Sequence, residues 1–285
     1  MYRIGIIGTE NSHAAAFIEI FKNDANYSDM KVVCVGGMYE DANEKLKEKY
    51  GVEVINEPEQ MLGKIDAAMI TCRDGKYHAK YARPFIEAGL PVFIDKPFTV
   101  DAQEALELVQ LAKEKSSLMV GGSAVKSSYD ILMLKNAVEK DRNSVKGGSM
   151  VAPVSMKNEY SGFYFYASHL AEMCLNTFGY SPKAVTAKEN NDNVVAMIEY
   201  ENYTVSLLFA SGIAKYFGQV VNADGIYSRE VDISIIYKHE CDEFANMLRN
   251  GKMKYSYEEL IKPVYLLNAI YESYTTGKRV IIKGN

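Results

Sequence analysis

A lysine that closes an apolar run and stands before a proline is placed to do chemistry. In Pro91-Val92-Phe93-Ile94-Asp95-Lys96-Pro97-Phe98, four apolar or β-branched residues predict a buried strand, which the charged pair and the proline then break. The charge falls at the strand's carboxyl end, the edge of an open parallel sheet where ligands bind. Lys96 therefore stands where a catalytic ammonium could meet a substrate. Pro97 fixes the local backbone and is compatible with a cis bond. The competing reading is a solvated Asp-Lys pair at a strand end.

A second cluster lies near the start. Gly8-Thr9-Glu10-Asn11-Ser12-His13 follows an apolar strand, Arg3 to Ile7, and precedes a helical stretch from Ala14 to Phe21. Strand, turn and helix in that order put backbone N–H groups where a diphosphate sits. Gly8 takes the first glycine position of such a turn, but Glu10 and His13 take the second and third. Asn11 or Ser12 is the expected helix cap. Glu10, Asn11 and His13 also admit a polar site of their own, for a sugar hydroxyl or a metal, although one Glu and one His are weak evidence for metal.

The elements that position these residues alternate. Strands are expected at Lys31–Val35, Val52–Ile55, Ala67–Ile70 and Ser117–Gly121, and helices at Glu40–Tyr50, His78–Ala88 and from Asp101, as cap, through Lys113. Glu57 to Leu62 is a helical turn. The second strand ends in Val35-Gly36-Gly37-Met38, with no carboxylate at the position that binds ribose hydroxyls and no obvious arginine for a 2′-phosphate. NAD, NADP and no dinucleotide all stay open on that evidence. The alternation predicts a doubly wound parallel sheet. Beyond it, 123–141 reads as a helix, Val145–Val154 as an extended segment, and a helix carries His169. Strands follow at Ala184–Lys188, Val194–Tyr200, Thr204–Ala210, Gln219–Asn222 and Glu230–Ile236, which predict a mostly antiparallel sheet. Helices at Lys238–Arg249 and Tyr257–Tyr274 end the chain.

Composition narrows the classes. With 285 residues the chain has room for two domains, and a net charge of −5 gives no electrostatic footprint for nucleic acid or an anionic membrane. No apolar stretch is long enough to span a bilayer, and the first residues read as a strand rather than a leader, so a cytoplasmic protein is expected. Cys34, Cys72, Cys174 and Cys241 lack the spacing of a zinc or redox site, and no metal is expected. The 21 tyrosines, with no tryptophan, suit a Tyr-rich substrate pocket or ordinary packing.

Taken together, the motifs resemble the Gfo/Idh/MocA oxidoreductases. The family's Glu-Lys-Pro appears as Asp95-Lys96-Pro97, and its Thr-Pro-x-x-x-His loop as Thr71 to His78, two residues longer. Glu240 to Gly251 resembles its E-x-x-x-F-x-x-x-[IL]-x-x-G helix, and Ser273 to Val280 its terminal segment. His169 and Gly179 keep the family's ten-residue interval, whereas Phe165 stands at its usual aspartate.

The resemblance implies an α/β fold: an N-terminal Rossmann-type domain over 1–122 and a C-terminal α+β substrate and oligomerisation domain over 123–285, whose terminal segment can pack back on the first. It implies NAD or NADP held by Gly8, Thr9, Glu10, Asn11, Ser12, His13, Gly37, Thr71, Cys72, His78, Asp95 and Lys96. Lys96, Tyr164, Tyr166 and His169 are the implied substrate contacts, with Lys96 and His169 catalytic; a satisfied core histidine is the competing role for His169. The expected partner is a small-molecule sugar, polyol or related hydroxy compound, together with further copies of the chain through the C-terminal sheet. The alternative is a family-derived ligand-binding or regulatory protein that has lost hydride transfer.

Overall fold

The structure, a computed structural model, describes residues 1–283. Its backbone forms two compact units, Met1–Gly122 with Tyr237–Leu260, and Ser123–Ile236 with the chain from Ile261 onward.

In the first unit, β1 (Tyr2–Ile7), α1 (Ser12–Asn23), β2 (Met30–Gly36), α2 (Glu40–Tyr50), β3 (Glu53–Val54), α3 (Pro58–Met61), β4 (Ala67–Ile70), α4 (His78–Glu87), β5 (Val92–Asp95), α5 (Ala102–Lys115) and β6 (Met119–Gly122) follow one another. The strands form one parallel sheet in the order β3-β2-β1-β4-β5-β6. β4, β5 and β6 are buried along their whole length, as strands covered on both faces must be. Asn11 caps α1 by accepting the His13 N–H at 2.7 Å, and Asp101 caps α5 by accepting from Gln103 and Glu104. Cys241, Phe244, Ala245, Met247 and Leu248, far on in the chain, belong to the same core as Phe17, Phe21, Tyr27 and Phe93.

The second unit contains α6 (Tyr129–Lys140), β7 (Val145–Val154), α7 (Tyr164–Phe178), β8 (Ala184–Asn190), β9 (Asn193–Glu199), β10 (Thr204–Ser211), β11 (Phe217–Asn222) and β12 (Gly225–Glu230). α8 (Ile236–Asn250) follows, then α9 (Tyr257–Thr276) and β13 (Val280–Ile281). The sheet runs β12-β11-β7-β10-β9-β8-β13 and is antiparallel except where β7 pairs with β10. One face of it carries a core with Met173, Phe178, Phe209, Leu266 and Ile270.

Two expected elements differ. The helix expected from residue 123 starts at Tyr129, because Ser128 caps it (3.4 Å to the Ile131 N–H) and residues 124–127 form a separate 3-10 turn. The strand expected at 230–236 is instead β12, ending at Glu230. Val231, Ile233 and Ile235 imitate the alternation of a strand, while the true edge strand is largely exposed and polar and shows none. All four cysteines are buried free thiols.

Candidate active site

In the first unit, the carboxyl ends of β1, β2, β4 and β5 bring the expected cofactor residues together. Gly8 has φ +101°, and a Cβ there would lie 2.2 Å from the Cys72 nitrogen, so no other residue fits this turn. Gly37, at φ +134°, would carry its Cβ 3.1 Å from the Gly8 nitrogen. Thr71 donates its hydroxyl to the Gly8 carbonyl at 2.6 Å, and Thr9 donates to Asn43 Oδ1 at 2.5 Å. Asn43, fully buried on α2, donates in turn to the Gly37 carbonyl at 3.0 Å and to Asn56 Oδ1 at 2.8 Å. This asparagine ties the two glycine turns together. Its only sequence signal is a polar residue at an inward position of an amphipathic helix.

The side chains that replace the usual glycines cross to neighbouring strands. Glu10 accepts the Arg73 N–H at 2.8 Å. Asn11 donates to the Thr71 carbonyl at 3.2 Å and to Asp95 Oδ2 at 3.4 Å, and His13 Nδ1 lies 2.6 Å from that same oxygen. The His13 ring meets Tyr237 edge-on at 4.6 Å, while Ser12 Oγ lies 3.3 Å from the Tyr237 hydroxyl. Cys72 is buried with its thiol pushed up by desolvation. His78 is fully buried, Nδ1 2.7 Å from the Pro97 carbonyl oxygen and Nε2 2.8 Å from that of Cys72, so its ring joins the β4–α4 loop to the segment after Lys96.

Asp95 and Lys96 end β5 as expected, and the Lys96-Pro97 bond is cis. Asp95 is fully buried and accepts the Lys96 N–H at 2.7 Å. Burial alone would raise its pKa, but His13 and Lys96 outweigh burial and hold the carboxyl below the ordinary range. Lys96 is 7% exposed, and burial pushes its ammonium down against the attraction of Asp95 and Glu240. An ammonium in that state is suited both to polarising a substrate oxygen and to exchanging a proton.

In the second unit, α7 carries His169. Its Nδ1 lies 2.7 Å from Ser123 Oγ, and the rings of Tyr166 and Tyr216 stand 6.0 and 5.7 Å away. One helical turn on, Glu172 accepts the Ser123 N–H at 2.7 Å and pairs with Lys126 at 2.6 Å. Asn176 donates to the Lys126 carbonyl, also at 2.7 Å. Tyr164 stacks on Tyr271 and accepts a hydrogen bond from Asn268 at 3.3 Å, while Phe165 packs between Tyr160 and Tyr166. Ser123, Lys126 and Glu172 escape a sequence reading because their meeting depends on the turn at 124–127. Among the described residues, no group of three or more His, Cys, Asp or Glu side chains is close enough to hold a metal ion.

The family model of the oxidoreductase family with an NAD-binding Rossmann fold matches residues 2–122. Over 160 residues the chain is 27% identical to the uncharacterised oxidoreductase YhhX of Escherichia coli, a match covering 50% of this chain and 44% of that one. It is 29% identical over 143 residues to the uncharacterised oxidoreductase C115.03 of Schizosaccharomyces pombe, covering 44% and 38%. The match thus spans less than half the length of either relative. In fold, 99% of the chain superposes on 99% of the scyllo-inositol dehydrogenase of Lactobacillus casei solved with NAD(H) and scyllo-inositol, with a TM-score of 0.86 at 14% identity. Over residues 2–122, the chain matches the Gfo/Idh/MocA family of oxidoreductases.

Proposed function

We propose that the chain is a nicotinamide-dependent oxidoreductase acting on a CH–OH group of a polyol, sugar or related hydroxy compound. The observation that carries this reading is the buried Lys96 ammonium, lowered in pKa by desolvation, at the carboxyl end of β5. The turns around Gly8 and Gly37 fit the diphosphate of a dinucleotide, since they present bare backbone at close approach and Glu10 is engaged by the Arg73 N–H. Thr9, Asn11, Ser12, His13, Thr71, Cys72, His78 and Asp95 would complete or support that side, with NAD and NADP both admitted. The relative solved with NAD(H) and scyllo-inositol supports a cyclic polyol as the first substrate to try.

A nicotinamide bound there supplies the hydride acceptor or donor. Lys96 donates a hydrogen bond to the reacting oxygen and stabilises the negative charge that develops on it. His169 takes the hydroxyl proton on oxidation and returns it on reduction. Tyr166, whose ring centre lies 6.0 Å from that of His169, and Tyr164 serve as further substrate contacts. Phe165 in place of the family's aspartate favours one rival, a ligand-binding or regulatory protein without turnover.

Separate fluorescence titrations with NAD, NADH, NADP and NADPH, followed by a cyclic and linear polyol panel, divide the two. The enzyme reading expects one nicotinamide pair to bind and be reduced. Lys96→Ala should abolish turnover, at least about 100-fold, while leaving nicotinamide affinity within about threefold. No reduction of either nicotinamide across the panel would leave the rival standing.

A further inference from the structure

A dinucleotide site commonly reads the adenosine ribose with a carboxylate at the end of its second strand, and packing forbids that here. A Cβ on Gly36, the last residue of β2, would lie 1.9 Å from the Ile55 carbonyl oxygen. Gly37 is held to glycine by its positive φ and by the Gly8 backbone beside it. The next two residues do carry side chains, and both stand in water: Met38 is 43% and Tyr39 47% exposed. Among the described residues of the first unit, Met1 and Leu62 are the other exposed large apolar side chains, and neither belongs to this turn. The backbone beneath Tyr39 is fixed, since its carbonyl accepts the Ala42 and Asn43 N–H groups at 3.0 Å each. Its side chain does not cap α2, and among the described residues no ring packs on it and no group bonds its hydroxyl.

We propose that Met38 and Tyr39 seat the adenine ring, so that the chain holds the adenosine half of a dinucleotide by apolar contact and leaves the ribose 2′-hydroxyl unread. The proposal rests on the reading of the Gly8 and Gly37 turns as the cradle of the diphosphate. In a dinucleotide the base lies one ribose beyond that group, and residues 38 and 39 follow Gly37 directly. An aromatic ring and a thioether both suit the flat face of a purine, a contact indifferent to the hydroxyls of the sugar. The competing ribose partners are Glu40 and Asp41, the exposed acids in the first turn of α2.

Calorimetric titration of the whole chain with ADP and with 2′-deoxy-ADP separates these roles. The wild type should bind the two within about fivefold of each other, since no side chain reads the 2′-hydroxyl. Tyr39→Ala should weaken ADP about 10-fold and Met38→Ala about threefold, whereas Tyr39→Phe should stay within about twofold of the wild type. Both positions are half exposed, so these variants should fold as the wild type does. ADP affinity within about twofold of wild type in the Tyr39→Ala, Met38→Ala double variant overturns the seat. A Tyr39→Phe variant as weak as Tyr39→Ala also overturns it, because the hydroxyl and not the ring then makes the contact. A larger loss for 2′-deoxy-ADP that Glu40→Gln removes gives the ribose to α2 and overturns the unread sugar. A wild-type chain that binds none of ADP, NADH and NADPH overturns the reading of the diphosphate cradle, and the proposal with it.

Discussion

Lys96 sits where a charge is disfavoured, since burial lowers its pKa. Because the folded value lies below the ordinary one near 10.4, the unfolded chain binds more protons between the two, and wild-type stability rises with pH across that window. Lys96→Met should therefore abolish turnover yet unfold at higher denaturant at pH 7, by about 1 kcal/mol, with the advantage shrinking towards pH 10. A less stable methionine variant at neutral pH would mean that the ammonium is held by the fold rather than tolerated by it. Asp95 gives the opposite sign. Its folded pKa is lowered, so its stabilisation is complete above about pH 4 and is lost as pH falls through the folded value. Asp95→Asn should flatten the acid limb of a stability–pH curve and cost on the order of 2 kcal/mol at pH 6, where denaturant midpoints are easily measured.

At the level of elements, the carboxyl end of β5 and the caps Asn11 and Asp101 were legible and the cross-links were not. An apolar run that stops at a charged pair is a local signal, so β5 and the place of Lys96 could be read directly. The contact of His13 with Asp95 and that of Ser123 with His169 join residues far apart in sequence, and no local pattern announces them. The interval from His169 to Gly179 did point to the right helix, since Gly179 ends α7. The misread strand at 230–236 shows the limit of period-two reading at an exposed edge, where pairing rather than burial makes the strand. α7 and the turn before α6 are joined by the Lys126–Glu172 pair, both side chains at most 5% exposed. Lys126→Met leaves a carboxylate buried and should cost about 3–5 kcal/mol in urea unfolding, whereas adding Glu172→Leu should recover most of it. A double variant as weak as the single one would show that the ion pair itself, not the relief of an orphaned charge, sustains that corner.

At the scale of the whole molecule, the second unit's sheet buries one face against residues of α6, α7 and α9. Val195, Met197 and Leu208 are exposed large apolar residues on β9 and β10, alternating with buried ones. We propose that a second copy of the chain covers them, since a β face of this composition is what an isologous pairing of sheets buries. Light scattering after size exclusion should give an oligomer for the wild type and a monomer for Met197→Glu with Leu208→Glu, whose melting temperature should be lower and no longer depend on concentration. A wild-type monomer at tens of micromolar would remove that role from the face. Among the described residues, no helix is long and apolar enough to cross a membrane.

The core of the first unit also constrains how the chain is made. Phe244 is fully buried there, 6.3 Å from Phe93 and 6.4 Å from Phe21, yet more than a hundred residues separate it from the last strand of the sheet it lines. During synthesis, six strands leave the ribosome long before their final apolar cover does. Until α8 emerges, the nascent sheet shows a greasy wall to the surrounding water or to a chaperone, so the order of translation, and not only the finished contacts, bears on how this unit folds.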